Sequence, residues 1–378
     1  MISFRRTRAV ARKEFLHILR DRRSLIAALA MPLLLLMLFG YALTLDVDRI
    51  PTYVYDQDGS PESRDLIERF RGSHYFDVRA LAGSRAVIER AIDRNEVLLG
   101  VVIAPDFGKH LAAGQEAGVQ LLVDGSDSNT ASIALNYAEA LALAYSGELR
   151  SRAMNRRGGG ELKAPVEPRV RVWYNSELKS RNFIVPGLIA VILMIIAALL
   201  TSLTIAREWE SGTMEQLLST PVRPVELLFG KLSAHFALGM LDMAIALGAG
   251  IGIFDVPMRG NVLMLFAASA IFLFGGLCWG VFLSAVARTQ LLAYQAAVIT
   301  TFLPAFLLSG FVFAIENMPW VVQLVTYIVP ARYFVTILKG IFLKGVGLHV
   351  LWPEMLFLVA YAVVLFVIAA KKLRQKVA

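Results

Sequence analysis

Crossing a lipid bilayer takes about 20 consecutive, mostly apolar residues. This chain of 378 residues holds six such runs, at roughly 24–45, 183–206, 228–253, 262–287, 290–313 and 350–370. No other feature restricts the fold as much, because in lipid the backbone must satisfy its own hydrogen bonds, and runs of this length do so as helices. Composition agrees: 57% of the residues are hydrophobic and the mean hydropathy is +0.59, well above soluble averages. A seventh apolar stretch, 319–345, is interrupted by Pro330 and carries Arg332, Lys339 and Lys344. Proline removes a helix donor and charge is costly in lipid. Re-entrant or interfacial helices over 316–346, on the outer side, are therefore expected in place of a seventh span.

The net charge of +8 does not describe a nucleic-acid surface, since the basic residues gather beside the apolar runs. Eight of them, from Arg5 to Arg23, precede the first run, and Lys371, Lys372, Arg374 and Lys376 follow the last. That is the positive-inside pattern, with attraction to anionic membrane lipids and no nucleic acid. Six spans place both basic termini in the cytoplasm, whereas seven would put the second one outside. Within residues 1–23, Phe4, Ala11, Phe15 and Ile18 share one helical face among arginines and lysines, which reads as an interfacial amphipathic helix or an ordinary charged flank. Span one, 24–45, is longer than a typical signal-peptide core and no A-x-A site precedes Asp46, so it reads as an uncleaved anchor. The single cysteine, Cys278, excludes an intrachain disulfide.

Residues 46–181 are polar and long enough for an inserted domain. Strand-like segments at 50–55, 75–80, 98–104, 120–123 and 169–174 alternate with helical ones at 63–71, 84–94, 106–113 and 127–153, predicting a small α/β domain with a mixed sheet. Arg156 to Gly160 reads as a flexible loop. Asp124 to Asn129 has the residues of a metal or hydroxyl cluster, but a strand-to-helix turn with an N-cap is the simpler reading. His74 and His110 lack metal-ligand spacing, and no G-x-S-x-G or H-E-x-x-H occurs. The predicted fold is thus an all-α bundle of six transmembrane helices (24–45, then five within 182–378) carrying an extracytoplasmic α/β domain between the first and second helices.

Residues 207–227 are more than a turn between spans requires. Thr213 to Gln216 has capping-box spacing, Leu217 and Leu218 add apolar groups, Pro221 ends the helix, and Pro224 with Glu226 opens another. By these features alone the segment is either a rigid surface for a soluble partner or a plain interfacial connection. Arg207-Glu208, Gly212-Thr213, Glu215, Leu217-Leu218, Thr220-Pro221 and Glu226 together resemble the cytoplasmic signature of type-2 ATP-binding-cassette transporter permeases. Two more segments are similar to the bacterial multidrug-exporter branch of that family. One runs from Trp173 through Asn175, Glu177 and Arg181 to Pro186-Gly187; the other runs from Ser309-Gly310 through Glu316 and Pro319-Trp320 to Pro330-Ala331-Arg332-Tyr333. Ser176 and Ala314 stand where the family commonly has proline.

The resemblance implies a permease subunit of an exporter in the bacterial inner membrane, moving amphipathic drugs or lipid-like compounds. It implies a coupling helix that docks on a cytoplasmic ATPase through Glu208, Gly212, Thr213, Glu215, Leu217, Leu218, Thr220 and Pro221. It also implies a second permease copy or a sibling, a periplasmic membrane-fusion adaptor, and an outer re-entrant region marked by Glu316, Pro330 and Tyr333. ATP and Mg would be bound by the partner and no cofactor by this chain. The sequence agrees, for it has no G-x-x-x-x-G-K-[ST]: Gly108-Lys109-His110 and Gly230-Lys231-Leu232 both fail at the last position. The chain is then not an enzyme by itself.

Inside the membrane, Asp242 lies mid-span with His235 two turns earlier on the same face. The pair reads as a proton relay, a substrate contact or a buried hydrogen bond. An ion-coupled carrier using Asp242 and a non-transporting mechanotransmitter are the alternative functions. Gly276, Gly280 and Ser284, like Ala244, Gly248 and Gly252, repeat at four-residue spacing and suit close helix packing, within one subunit or between two. Gln290, Gln295, Thr300 and Thr301 could line a polar path or join helices.

Overall fold

The computed structural model describes residues 3–42, 49–156, 173–175, 179–287 and 289–377. In chain order the elements are α1 (Phe4–Arg20), α2 (Arg22–Ala42), β1 (Ile50–Asp56), α3 (Pro61–Gly72), β2 (Phe76–Leu81), α4 (Arg85–Asp93), β3 (Leu99–Ile103), α5 (Phe107–Ala112), β4 (Val119–Val123) and α6 (Ser128–Arg156). There follow α7 (Ser180–Glu210), α8 (Thr213–Leu218), α9 (Pro224–Gly252), α10 (Val262–Val286), α11 (Gln290–Leu307), α12 (Trp320–Thr326), α13 (Pro330–Lys339) and α14 (Leu348–Val377). They form two compact units: α1, α2 and α7–α14 in one, β1–β4 with α3–α6 in the other.

The helical unit is that of a membrane protein. Among the described residues, five helices are long and apolar enough to cross a bilayer, and a sixth would be the bent pair Trp320–Thr326 and Pro330–Lys344 if it counts as one span. The five are α7, α9, α10, α11 and Leu348–Leu373 of α14. The first expected span appears as the shorter apolar stretch Ala28–Ala42 of α2, and 43–48 lie outside the described residues. The stretch read as re-entrant does not run straight: its two halves meet at 81°. Pro330 is the first residue of α13, where its fixed φ suits a helix start and its missing N–H leaves no broken bond.

Helix ends follow local chemistry. Asn261 caps α10 by accepting from Leu263 N at 2.7 Å, and Thr289 caps α11 by accepting from Leu292 N at 3.3 Å. The core is built on α7, whose residues from Ile184 to Ala198 are almost all buried. Its tightest seam is with α10. A Cβ on Gly276 would stand 2.8 Å from Ala197 Cβ, and one on Gly280 2.4 Å from the Ala198 carbonyl oxygen. Ser284 Oγ accepts from Ile205 N and Ala206 N at 3.0 and 2.9 Å. This four-residue repeat therefore serves packing within the chain. The one on α9 differs: Ala244, Gly248 and Gly252 are exposed, and added Cβ atoms on the two glycines would meet nothing within 4 Å.

The second unit carries a mixed four-stranded sheet in the order β2-β1-β3-β4, with β1 parallel to β2 and β3, and β3 antiparallel to β4. β3 is buried along its whole length, and Ile50, Val54, Leu66, Phe70, Leu99 and Val101 share its core. Four of the five expected strands form. Of the fifth, residues 169–172 lie outside the described residues, and Trp173 and Tyr174 are not in a strand. The loop expected after Arg156 also lies outside them. Asp124 to Asn129 forms the strand-to-helix turn: Asp124 accepts from Ser126 N at 2.9 Å, and Asp127 accepts from Thr130 N at 3.4 Å at the start of α6.

Candidate functional site

The polar segment between α7 and α9 is held from behind by an ion cluster. Lys231, one turn into the apolar run of α9, is 2% exposed. Its Nζ lies 3.0 Å from Glu14 of α1 and 2.8 Å from Glu208 near the end of α7. Lys13 lies 3.5 Å from Glu14 and 3.4 Å from Glu208. Above them Glu226, fully buried, receives Arg6 Nε and Nη2 at 2.8 and 2.7 Å and the Ser3 amide at 2.6 Å. Burial works to raise Glu14, but the charge and hydrogen bond of Lys231, with Lys13 adding to them, outweigh it and hold the carboxyl below its usual range. The hydrogen bond to Glu226 raises the Arg6 guanidinium.

α1 thus docks on α9 through its polar side. At Gly230 the helices touch, since a Cβ there would stand 2.6 Å from Val10. Phe4, Phe15 and Leu19 stay uncovered by the chain, as suits a helix lying at a membrane interface.

Glu208 and the helix start at Thr213 sit differently from the rest of the segment. Glu208 is buried at 8% exposure and faces Lys231, so it braces the segment from behind. The capping box expected at Thr213 to Gln216 does not form. Gly212, at φ +69°, makes the left-handed turn out of α7, a backbone state glycine adopts without cost. Ser211 Oγ then donates to Arg207 O at 2.8 Å, and Thr213 Oγ1 to Glu208 O at 3.4 Å, so the hydroxyls are used on the end of α7. One half of that arrangement sits at α9 instead, where Glu226 Oε2 accepts from Arg223 N at 3.0 Å.

On α8 and its flanks, Gly212, Thr213, Glu215, Gln216, Ser219, Thr220 and Pro221 are exposed, while Met214 is fully buried as the anchor. Leu217 and Leu218 are the last two residues of α8. Glu210 accepts from the Gln290 amide at 2.8 Å, tying the segment to the start of α11. Sequence reasoning missed Lys231, Glu14 and Arg6. Their signal was present as a lysine inside an apolar run and an acid inside an arginine-rich helix.

Deeper in the unit, His235 and Asp242 are both buried, but no hydrogen bond joins them; His235 Nδ1 lies 2.9 Å from the Lys231 carbonyl. A cavity of about 630 Å³ opens among α11, the α12–α13 bend and α14, lined by Thr300, Thr301, Pro304, Val329, Phe357 and Tyr361 among others. Its polar groups are few: Trp279 Nε1 donates to Thr300 Oγ1 at 3.0 Å. Gln290 is spent on Glu210, and Gln295 is exposed. At the bend, Tyr333 Oη donates to Tyr327 O at 3.0 Å and its ring stacks on Phe357 at 3.8 Å; Pro330 is buried beside the cavity, and Glu316 is exposed in a 3₁₀ turn, Ile315–Asn317.

A row of apolar helices, a braced polar helix between two of them and a drug-sized apolar cavity agree with the comparisons. Residues 22–371 match the model of the ABC-2 family transporter proteins. The chain is 38% identical over 364 residues to the probable multidrug ABC transporter permease YbhS of Escherichia coli, covering 96% of this chain and 95% of that one. It is 34% identical over 353 residues to the probable multidrug ABC transporter permease YbhR of the same organism, covering 93% and 94%. It is 25% identical over 375 residues to the inner membrane transport permease YhhJ, covering 95% and 96%. The chain belongs to the ABC-2 transporter family, as a permease subunit of an ATP-binding-cassette exporter.

Proposed function

We propose that this permease subunit moves amphipathic drugs or lipid-like compounds out of the cytoplasm or the inner leaflet, using ATP hydrolysed by a separate subunit. In this reading α2, α7, α9, α10, α11 and α14 cross the bacterial inner membrane with both termini cytoplasmic. The α12–α13 pair re-enters from outside, and the unit built on β1–β4 lies in the periplasm, where a membrane-fusion adaptor could meet it. A second copy or a sibling permease completes the path, and ATP and Mg reside on the ATPase.

Residues 207–227 are the coupling segment. Gly212, Thr213, Glu215, Leu217, Leu218, Thr220 and Pro221 form the docking region, and Glu208 braces it from behind. The observation that carries the reading is the exposed row on α8, anchored by buried Met214 and by the Thr213 hydroxyl on the carbonyl of Glu208, whose carboxylate belongs to the buried ion cluster: force applied to α8 reaches α7, and through the cluster α9 and α1. The cargo class rests on the names of the relatives and on the apolar cavity of about 630 Å³, within the drug-sized range.

The test is co-purification with the candidate ATPase. Glu215→Arg with Leu217→Asp is expected to abolish complex formation and to uncouple ATPase activity from cargo while the permease itself stays folded. Unchanged assembly and coupling would remove the docking assignment.

A further inference from the structure

Asp242 differs from the other buried charges of the helical unit. Glu14, Glu208, Glu226 and Lys231 all have counter-ions. Asp242 is 1% exposed, and neither carboxylate oxygen has a hydrogen-bond partner among the described residues. It borders a cavity of about 10 Å³ closed by Pro32 of α2, Ile189, Ile192, Leu193 and Ile196 of α7, and Met243 and Ala246 of α9 itself. None of these is titratable.

Among the described residues, the other neighbours of α9 supply no partner either. α10 faces it with Leu273 at Gly239, and its buried thiol is Cys278. α14 meets it through Phe366 at Phe229. Glu14 of α1 and Glu208 of α7 are used on Lys231, Glu210 of α7 is used on Gln290, and His235 on the same helix is engaged with the Lys231 carbonyl. The space is at the lower limit for one water and lacks the second polar partner a water needs. A bare carboxylate has no solvation there from protein or solvent.

We propose that Asp242 is a proton-binding site, carried as the neutral acid while the α2–α7–α9 seam is closed and free to ionise only when that seam parts. Pro32 supports this, because a proline inside α2 removes a hydrogen bond of that helix at the wall of the cavity, where the seam can yield. Linkage fixes the sign: a proton that binds the closed seam favours closure, and whatever opens the seam releases the proton.

The proposal concerns this chain alone and is tested without a transport assay. Purified chain in lipid nanodiscs is treated with the apolar reagent dicyclohexylcarbodiimide or with a water-soluble carbodiimide, and the labelled residue is located by mass spectrometry. The acid O–H adds across one C=N bond, its proton going to nitrogen and its oxygen to carbon. Acyl transfer to nitrogen then leaves a stable N-acylurea with no atom lost. The expected result is labelling of Asp242 by the apolar reagent and its loss with the soluble one. No labelling of Asp242 by the apolar reagent, or equal labelling by both, overturns the proposal. Asp242→Asn is expected to be the more thermally stable chain, by a margin that widens as pH rises above the ordinary aspartate value of about 3.9, since the native acid then holds a proton that the unfolded chain has lost. A constant margin overturns it equally, and the wild-type labelling decides the matter if the variant does not fold.

Discussion

Replacing Lys231 by methionine keeps most of the side-chain volume and removes one charge from the cluster behind α8. Two buried carboxylates, Glu14 and Glu208, then lose an ammonium at 3.0 and 2.8 Å. Removing one partner from a buried pair costs about 3–5 kcal/mol, because the charge left behind is desolvated and uncompensated. Lys13 remains at 3.5 and 3.4 Å, but its side chain is 60% exposed, and exposed pairs return at most about 1 kcal/mol. The net cost, about 3 kcal/mol, falls on the docking of α1 against α9 and α7. At about 1.4 kcal/mol per decade, the undocked fraction of α1 rises by about two decades.

Limited trypsin digestion reads that fraction, since Arg8, Arg12 and Lys13 lie on the exposed side of α1 and cleavage tracks the open population. Cleavage should therefore accelerate about a hundredfold in Lys231→Met. The triple variant Lys231→Met, Glu14→Gln, Glu208→Gln should recover most of the protection, because no uncompensated charge remains. Wild-type cleavage in the single variant, or no recovery in the triple, would refute the account of the cluster as a coupled buried network.

Three further outcomes are expected. Gly280→Val should lower the unfolding midpoint in detergent, read by intrinsic fluorescence, by the equivalent of about 1–3 kcal/mol, because the new Cβ meets the rigid Ala198 carbonyl at 2.4 Å; Gly248→Val, facing open space, should not. The Glu14 carboxyl is held below its usual range, so its contribution to α1 docking is complete above the ordinary glutamate value of about 4.3 and is lost as pH falls through the lower native value. Hydrogen exchange of the α1 amides should rise in that acid window, and less so in Glu14→Gln. Ala360→Trp should fill part of the cavity of about 630 Å³ and reduce cargo-stimulated ATPase activity of the assembled exporter without changing basal turnover.

The sequence by itself determined the membrane class, five of the spanning helices, the break at Pro330, the four strands and the short helix between α7 and α9. Each is a local matter: run length against bilayer thickness, a two- or 3.6-residue period, or a proline or glycine at a boundary. The signature residues led to the family for the same reason, since they lie together in the chain. What only the tertiary structure decided are the partners. Glu208 read as a docking acid of the coupling segment, and Lys231 as a failed phosphate-loop lysine. They meet because α9 returns alongside α7, and Glu14 joins them from 217 positions before Lys231. The glycine repeats of α9 and α10 look alike in sequence, yet one faces α7 and the other open space. Packing direction makes the difference, and no local period encodes it. Asp242 is the extreme case: a mid-span acid is visible in the sequence, but its closure by Pro32 and four α7 side chains exists only once three helices are brought together.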